Sequence, residues 1–226
     1  MAIVDRLTNM VSGKIGDKVY FTLNGEQLVR RKPAPRKTDP SLKELQTRSK
    51  FAFITKFLLP LKSLINLTFR SPGMTPMNRA ISVNFKNADI GNYPDWQMNF
   101  NTLKLGYGEI AGAADLTMNH SPAGYLSFTW NVKSRRWYSQ SSDEVWIAVY
   151  CEALQKWLTH AGTTYRKDGF FILDVSDFSG HSVHVFVGFI SIFRGGSSDG
   201  QYVGEVEVTA KPRSLPRPPV PGHKEE

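Results

Sequence analysis

The sequence predicts a mainly β protein: a C-terminal β-sandwich of the immunoglobulin or fibronectin type III kind, preceded by a smaller α+β region. The stretch Val183–Phe193 (VHVFVGFISIF) is almost wholly apolar and rich in β-branched and aromatic residues, which is typical of a central strand. Seven apolar runs in the second half of the chain are separated by turn residues at the spacing of a sandwich. In one run Leu126, Phe128 and Trp130 alternate with polar residues, so we expect Trp130 in the core.

Seven strands are enough to close a hydrophobic core, so we expect the sandwich to fold without the first 70 residues. The predicted domains are residues 1–108, the sandwich at 109–210, and a proline-rich tail at 211–226 that should be disordered or extended. The single cysteine, Cys151, cannot form an intramolecular disulfide and is predicted to be a buried strand thiol. We expect strands at Ala114–Met118, Tyr125–Asn131, Glu144–Glu152, Thr164–Tyr165, Phe170–Val175, Val183–Phe193 and Tyr202–Val208.

The N-terminal region begins with a predicted β-hairpin. Asn24-Gly25 favours a type I′ turn, which needs positive φ at both central residues. Lys18–Leu23 and Gln27–Arg31 should therefore pair, with alternate residues of the first strand forming one apolar face. A lone hairpin is marginal in water, so this apolar face must rest on something else.

A basic linker, residues 30–37 (RRKPAPRK), leads from the hairpin to a predicted helix. Asp39 is the expected N-cap and Pro40 the first helical residue. A helical pattern runs from Ser41 to Leu59, and the proline that follows predicts a kink before a second helical piece at Leu61–Leu67.

The segment between the helix and the sandwich has weaker signals. Ala80–Phe85 predicts a short strand or a turn of helix, Lys86–Pro94 is rich in turn residues, and Trp96–Leu105 alternates as a strand with one bulge would. The apolar side chains of the hairpin and helix either pack on residues 80–105 or stay partly open for another subunit. We favour partial exposure, because the hairpin has an unpaired edge.

Positive charge is concentrated at the front of the chain. Residues 1–50 hold eleven Lys/Arg and five Asp/Glu, a net charge of +6 out of a total of +8. Such an excess can attract anionic partners such as nucleic acid, although solvated basic faces without a partner are also common. A loop that combines arginines with aromatic residues could stack on bases or anchor a protein interface, or it could be a solvated loop with its aromatics folded back. The candidate interaction residues are Arg30, Arg31, Lys32, Arg36 and Lys37 at the front and Arg135, Arg136, Trp137 and Tyr138 in that loop.

No catalytic, cofactor-binding or metal site is predicted. His181 and His184 are three apart on a strand, which places them on opposite faces and not in a metal-binding pair. The glycine-rich stretch 195–200 joins two strands and has no lysine, unlike a phosphate-binding loop. The carboxylate pairs at 143–144 and 174–177 lie at strand ends, where acids usually cap turns. These absences predict a protein that is not an enzyme and has no small-molecule substrate or cofactor.

The N-terminus has an acid and a base within its first six residues and no apolar stretch long enough for a signal peptide. The longest apolar runs are broken by charged residues or proline and fall short of the roughly 20 residues that cross a bilayer. We therefore expect a protein without membrane contact that is cytoplasmic or part of an assembled particle.

Five short motifs, in this order along the chain, resemble a bacterial family of unknown function. They are SGKIG at 12–16, NGEQLVR at 24–30, LQTRSKF at 45–51, FLLPL at 57–61 and IGNYP at 90–94. The resemblance implies one integrated protein of hairpin, helix and sandwich, and it implies no catalytic residue. The segment Leu45–Phe51 also resembles helices near the start of phage and prophage structural proteins.

The predicted function is a non-catalytic interaction or assembly protein, with a structural component of a phage-derived or other multiprotein particle as one form. Its partner would be another protein or further copies of itself. The alternative is a nucleic-acid-binding protein that uses the basic N-terminal region together with Arg135–Tyr138, and an enzyme ranks third.

Overall fold

The computed structural model describes residues 2–4, 11–23, 25–35, 38–87, 89–133, 139–193 and 195–210. The chain divides into two compact units, Met1–Glu44 and Leu45–Glu226. This division differs from the predicted boundary between residues 108 and 109, because helices from the middle of the chain share a hydrophobic core with the C-terminal sheet. The predicted tail, residues 211–226, lies outside the described residues.

The first unit contains a four-stranded antiparallel sheet in the order β1-β2-β3-β4. The predicted hairpin pairing is confirmed, with Tyr20 opposite Val29 and Leu23 opposite Glu26. Strands β1 and β2 were not predicted, because both are short and have little apolar alternation. The strands are β1 (Ala2–Val4), β2 (Val11–Ile15), β3 (Lys18–Leu23) and β4 (Glu26–Arg31).

The first helix, α1 (Leu42–Leu58), begins two residues later than an Asp39 N-cap would require. Ser41 and Glu44 cap it reciprocally. The Ser41 backbone N–H donates to the Glu44 carboxylate at 2.8 Å, and the Glu44 backbone N–H donates to the Ser41 hydroxyl at 3.4 Å. This capping box satisfies two backbone donors at once, which is why the helix starts after Ser41.

Pro60 interrupts the helix as predicted. The chain forms a 3-10 turn at Leu59–Leu61 and continues as α2 (Lys62–Thr68), because proline has no N–H and its ring clashes with the preceding turn. A third helix, α3, spans Pro76–Asn87, where the sequence predicted only a short strand or helical turn at 80–85.

A two-stranded hairpin of β5 (Asp89–Asn92) and β6 (Asp95–Met98) follows α3. The predicted strand at Trp96–Leu105 is therefore wrong beyond the end of β6. After β6, the side chain of Asn84 in α3 forms hydrogen bonds with backbone groups that would pair with a neighbouring strand in a sheet. Its side-chain amide donates to the Lys104 carbonyl at 2.8 Å, and its side-chain oxygen accepts the Lys104 N–H at 2.8 Å.

The C-terminal half forms two antiparallel sheets. In the larger sheet β10, β9 and β12 lie side by side, and β13 and β14 both pair with β12; the smaller sheet has the order β11-β8-β7. This arrangement is that of a fibronectin type III sandwich. Trp130 is buried between the two sheets, as predicted. The strands are β7 (Ala114–Asn119), β8 (Tyr125–Asn131), β9 (Glu144–Cys151), β10 (Lys156–Tyr165), β11 (Phe170–Asp174), β12 (Ser182–Ser191), β13 (Gly196–Ser197) and β14 (Gln201–Glu207).

Helices α1, α2 and α3 form a third layer on the outer face of the larger sheet. Ile54, Leu58 and Ile65 of the helices are buried in one core with Trp146 and Phe186 of the strands. The strands close a core of their own between the two sheets, as expected, but the outer face of the larger sheet is covered by the helices. The outer face of the sheet is apolar, and its burial requires the helices.

Trp146 is the largest side chain in this helix-covered core, and it is fully buried. Its cross-strand neighbour is Gly188 on β12. A Cβ atom at Gly188 would lie 2.5 Å from the indole, so only glycine leaves room for the ring.

The helical segment Leu42–Thr68 is long and apolar enough to meet the length and composition criteria for a membrane-spanning helix, which the core helix of a soluble protein also meets. Its buried residues include Ile54, Leu58 and Ile65, which contact the larger sheet.

Candidate interaction surfaces

Basic side chains cluster at one end of the first sheet. Lys18 of β3 lies directly opposite Arg31 of β4, and in the next row Lys14 of β2 and Arg30 of β4 flank Val19. Residues paired in register project from the same face, so Lys18 and Arg31 lie on one face and Lys14 and Arg30 on the other. The sheet register therefore brings together two of the predicted interaction residues and two cations that the sequence analysis did not single out.

These cations have few stabilising contacts. The Arg31 side chain lies 3.8 Å from the Asp17 carboxylate, and both side chains are largely exposed. The Arg30 guanidinium lies over the Phe21 ring at 5.7 Å. Exposed ion pairs contribute little to stability, and like charges directly opposite one another in a sheet are unfavourable. The pairing of Lys18 with Arg31 is therefore unfavourable, and the exposed Asp17 carboxylate offsets little of that repulsion.

Apolar side chains are exposed on both faces of the same sheet. Leu23 is 52 % exposed on one face, and Val29 is 54 % exposed on the other. Among residues 11–23 and 25–35 no residue is buried, and β4 is exposed along its whole length. The predicted apolar face of the hairpin is therefore only partly covered.

Several predicted interaction residues lie outside the described residues. They are Arg36 and Lys37 of the linker and Arg135, Arg136, Trp137 and Tyr138 of the loop after β8. Lys32 is described: it is exposed, and its backbone N–H donates to the Asp17 carbonyl at 2.6 Å.

The hairpin between β12 and β13 displays an apolar tip that sequence reasoning missed. The predicted strand Val183–Phe193 ends at Ser191, and the next two residues form the turn, with Ile192 56 % exposed and Phe193 83 % exposed. Their apolar character made them indistinguishable from the strand by pattern alone. The glycine pair Gly195-Gly196 was the available signal that the chain turns there.

The carboxylate at 143 belongs to a buried ion pair. Arg166 donates through Nε to Asp143 at 3.3 Å and through its two terminal nitrogens to the carbonyls of Gly112 at 3.2 Å and Ala111 at 2.7 Å. Its guanidinium lies 3.7 Å from the centre of the Phe189 ring. Burial lowers the pKa of Arg166, and the Asp143 charge opposes that shift. These contacts fix the loop at residues 111–112 to the sandwich.

His184 is buried beside aromatic residues. Its Nδ1 lies 2.9 Å from the Tyr202 hydroxyl, and its ring stacks on Phe100 with the centroids 3.7 Å apart. Burial lowers the pKa of His184, while the carboxylates of Glu205 and Glu152 oppose the shift. Within the part of the chain that the structure describes, no group of three or more His, Cys, Asp or Glu residues could hold a metal ion.

The chain is similar to several solved fibronectin type III domains. It aligns with the fn3 domain of human collagen alpha-1(XX) at 13% identity over 50% of this chain and 97% of that domain, with a TM-score of 0.35. It aligns with the fn3 domain of human contactin 1 at 9% identity over 49% of this chain and 87% of that domain, with a TM-score of 0.33. It aligns with the chicken CNTN1 FN1-FN3 domains at 10% identity over 46% of this chain, with a TM-score of 0.35. The aligned part is 33% of that structure, so the chain spans about a third of its length. No curated protein matches the chain.

A family model matches most of the chain. Residues 10–204 match the model described as "Family of unknown function (DUF6266)". The matched span contains the NG hairpin, the helices and nearly the whole sandwich, in agreement with the resemblance carried by the five motifs. The chain belongs to this family, DUF6266, whose function is unknown.

Proposed function

We propose that the protein is a non-catalytic interaction or assembly protein whose first unit binds a protein surface. The observation that carries this proposal is a hydrogen-bonded four-stranded sheet with no buried residue among residues 11–23 and 25–35. A sheet becomes stable when at least one of its faces is covered. A partner surface would supply the missing cover.

The exposed side chains fit a protein partner. Leu23 and Val29 place apolar groups on opposite faces, and exposed apolar patches rimmed by charge are typical of protein interaction sites. Strand β4 is at the edge of the sheet, so its outward backbone groups can also pair with a strand of another chain.

The test compares two pairs of equally exposed apolar residues. Leu23→Ser/Val29→Ser changes the first unit, and Phe170→Ser/Ile172→Ser changes β11 of the second unit, where the two side chains are 60 % and 51 % exposed. We expect sedimentation velocity to show that the parent chain self-associates, or co-purifies with a partner from its native source, and that only the first variant loses the complex. A monomeric parent without a co-purifying protein, or equal loss in both variants, would overturn the proposal.

A structural subunit of a phage-derived or other multiprotein particle is the specific form of assembly that we propose. In that case the native protein sediments with a large particle, and amides of β3 and β4 that exchange rapidly with deuterium in the isolated chain become protected. Native protein that sediments only as a small species contradicts this form.

A second candidate function is nucleic-acid binding, and the exposed basic end of the first sheet favours it. Phosphate groups would relieve the like-charge pairing of Lys18 with Arg31. The basic residues lie beside Tyr20 and Phe21, whose rings could stack on bases.

Fluorescence anisotropy with mixed-sequence DNA and RNA at several salt concentrations tests this candidate. Lys18→Gln/Arg31→Gln should reduce the slope of log affinity against log salt by about 2, because each lost phosphate contact removes about 0.9. The matched control is Lys62→Gln/Lys86→Gln on the second unit. No binding at about 50 mM salt, or equal slope changes in both variants, would exclude the candidate.

A further inference from the structure

The second unit contains an aromatic pocket of about 480 Å³ at one end of the larger sheet. Three of its walls are the rings of Phe57, Tyr150 and Trp157. The ring centroids are 5.0 Å apart for Phe57 and Tyr150, 5.4 Å for Phe57 and Trp157, and 4.6 Å for Tyr150 and Trp157. The rings pack on one another, so the pocket is formed before any ligand arrives.

Two hydrogen-bond donors of the pocket are unused. Among the described residues neither the Trp157 indole N–H nor the Tyr150 hydroxyl has a hydrogen-bond partner. Aromatic faces combined with free donors suit a polyproline II segment, because its proline rings pack flat on aromatic rings and its carbonyls make no internal hydrogen bonds. The pocket therefore has the chemistry of a proline-rich peptide site.

The chain carries a proline-rich sequence at its own C-terminus. Residues 211–226 read KPRSLPRPPVPGHKEE and contain five prolines, four of them between Pro216 and Pro221. Runs of this composition favour the polyproline II conformation.

The sheet register places the start of this tail within reach of the pocket. Trp157, Tyr150, His184 and Glu205 lie side by side on four adjacent strands. Strands are about 4.8 Å apart, so Glu205 of β14 is about 14 Å from Trp157. The described chain ends at Ala210, five residues after Glu205. The proline run begins six residues after Ala210. In the polyproline II conformation, which advances about 3.1 Å per residue, those six residues would span roughly 19 Å.

Charge is also complementary. The tail has four basic residues and two glutamates, a net charge of 4 − 2 = +2 with its histidine neutral. Exposed carboxylates of Glu205 and Glu207 stand where the tail departs, and Glu152 lies in the turn beside the pocket. Lys56, which lines the pocket, has the same sign of charge as the tail. The charge of Lys156 is paired with that of Asp177 at 3.4 Å.

We propose that residues 211–226 bind in the aromatic pocket of their own chain, with proline rings against Trp157 and Tyr150 and tail carbonyls accepting hydrogen bonds from both side chains. The tail then acts as a built-in ligand, and a proline-rich segment of another protein would have to displace it. This site lies in the second unit and is independent of the role proposed for the first.

Nuclear magnetic resonance of the five tryptophan indole groups tests the proposal on the full chain. Trp157→Phe identifies the Trp157 signal. Substituting Pro216, Pro218, Pro219 and Pro221 by serine should shift that signal, while the Trp96 signal, from the β5–β6 hairpin, stays in place. An unchanged Trp157 signal would overturn the proposal.

A synthetic peptide of residues 211–226, added to the proline-substituted chain, should restore the parent Trp157 signal with saturation. In anisotropy measurements with the labelled peptide, Trp157→Phe should weaken binding about tenfold, because it removes one hydrogen bond and keeps an aromatic ring. The matched control Trp96→Phe should leave the affinity unchanged, and equal effects of the two variants contradict the site.

Dilution separates binding within one chain from binding between copies. An intramolecular contact has a fixed effective concentration, so the Trp157 signal of the parent chain should not change on dilution. A signal that moves toward that of the proline-substituted chain on dilution would show that the tail binds a second copy and would overturn the own-chain assignment.

Discussion

Strands β4 and β12 represent opposite extremes within one chain. β4 has all six of its residues exposed, whereas β12 has nine of its ten residues buried. Both strands are hydrogen-bonded in register to antiparallel neighbours. The two strands differ in how far other apolar residues cover them. β12 lies between two hydrophobic cores, whereas the described residues of the sheet that contains β4 form no hydrophobic core.

The contrast separates hydrogen bonding from stability. A ladder of backbone bonds largely replaces bonds to water, so its net contribution is modest, while burial of apolar surface supplies most of the driving force. The second unit has both the hydrogen bonds and the burial, whereas the described residues of the first unit have the hydrogen bonds of a sheet without the burial that stabilises one.

Deleting the helical layer should cause the largest loss of stability. A fragment of residues 109–226 exposes the outer face with Trp146 and Phe186, and we expect it to lack a cooperative thermal transition. A fragment of residues 40–226 keeps the Ser41 cap and both cores and should melt close to the full chain. Circular dichroism during heating measures both fragments, and cooperative unfolding of the shorter one would show that the sandwich closes alone.

Within the second unit, Trp130→Ala should cost roughly 3–5 kcal/mol of unfolding free energy. The variant leaves a cavity beside Phe189 and removes the hydrogen bond from the indole N–H to the Arg166 carbonyl at 2.8 Å. Urea unfolding measures the loss. Trp96→Ala, at a half-buried hairpin position, is the control and should cost clearly less; equal costs would place Trp130 outside the core.

Neutralising Asp143 tests the buried ion pair. Asp143→Asn leaves the Arg166 cation buried without its counter-charge and should cost about 3 kcal/mol. Asp177→Asn breaks the exposed pair with Lys156 and should cost less than about 0.5 kcal/mol. Urea unfolding of both variants makes the comparison, and similar losses would mean that burial does not govern these pairs.

The smallest expected effect is a pH dependence. Burial lowers the pKa values of His184 and His160 in the folded chain, so the unfolded chain binds more protons near their ordinary pKa of about 6.5. Stability should therefore be complete above about pH 7 and fall as the pH is lowered through that range. His184→Gln should reduce the change in unfolding free energy with pH, as measured by urea unfolding. His160→Gln should reduce the part of that change that remains. An unchanged slope in His184→Gln would contradict the shift.

Local signals in the sequence were sufficient for elements whose geometry is decided locally. The pairing predicted for the hairpin is confirmed, although Asn24 of its turn lies outside the described residues, and Pro60 determined the helix break. The third layer was missed although a signal existed. The run EVWIAVYC of β9 is apolar at consecutive positions, with Val145 facing one core and Trp146 the other, and such a run indicates a strand covered on both faces.

The candidate sites depended on information that no local pattern holds. Lys18 and Arg31 are thirteen positions apart and meet only through the register of β3 and β4. Asp143 and Arg166 are brought together from two different loops. Pattern also could not separate Ile192 and Phe193 from the strand before them, because an apolar turn and an apolar strand end look alike until the pairing is known.

The helical layer precedes in the chain the sheet that it covers. During synthesis α1, α2 and α3 leave the ribosome before β9 and β12 exist, so Leu58 and Ile65 emerge without the surface that will bury them. Their core forms only after distant parts of the chain meet, which favours slow folding. The apolar faces of the nascent helices therefore stay exposed until β12 is complete, and such transient exposure favours aggregation during synthesis.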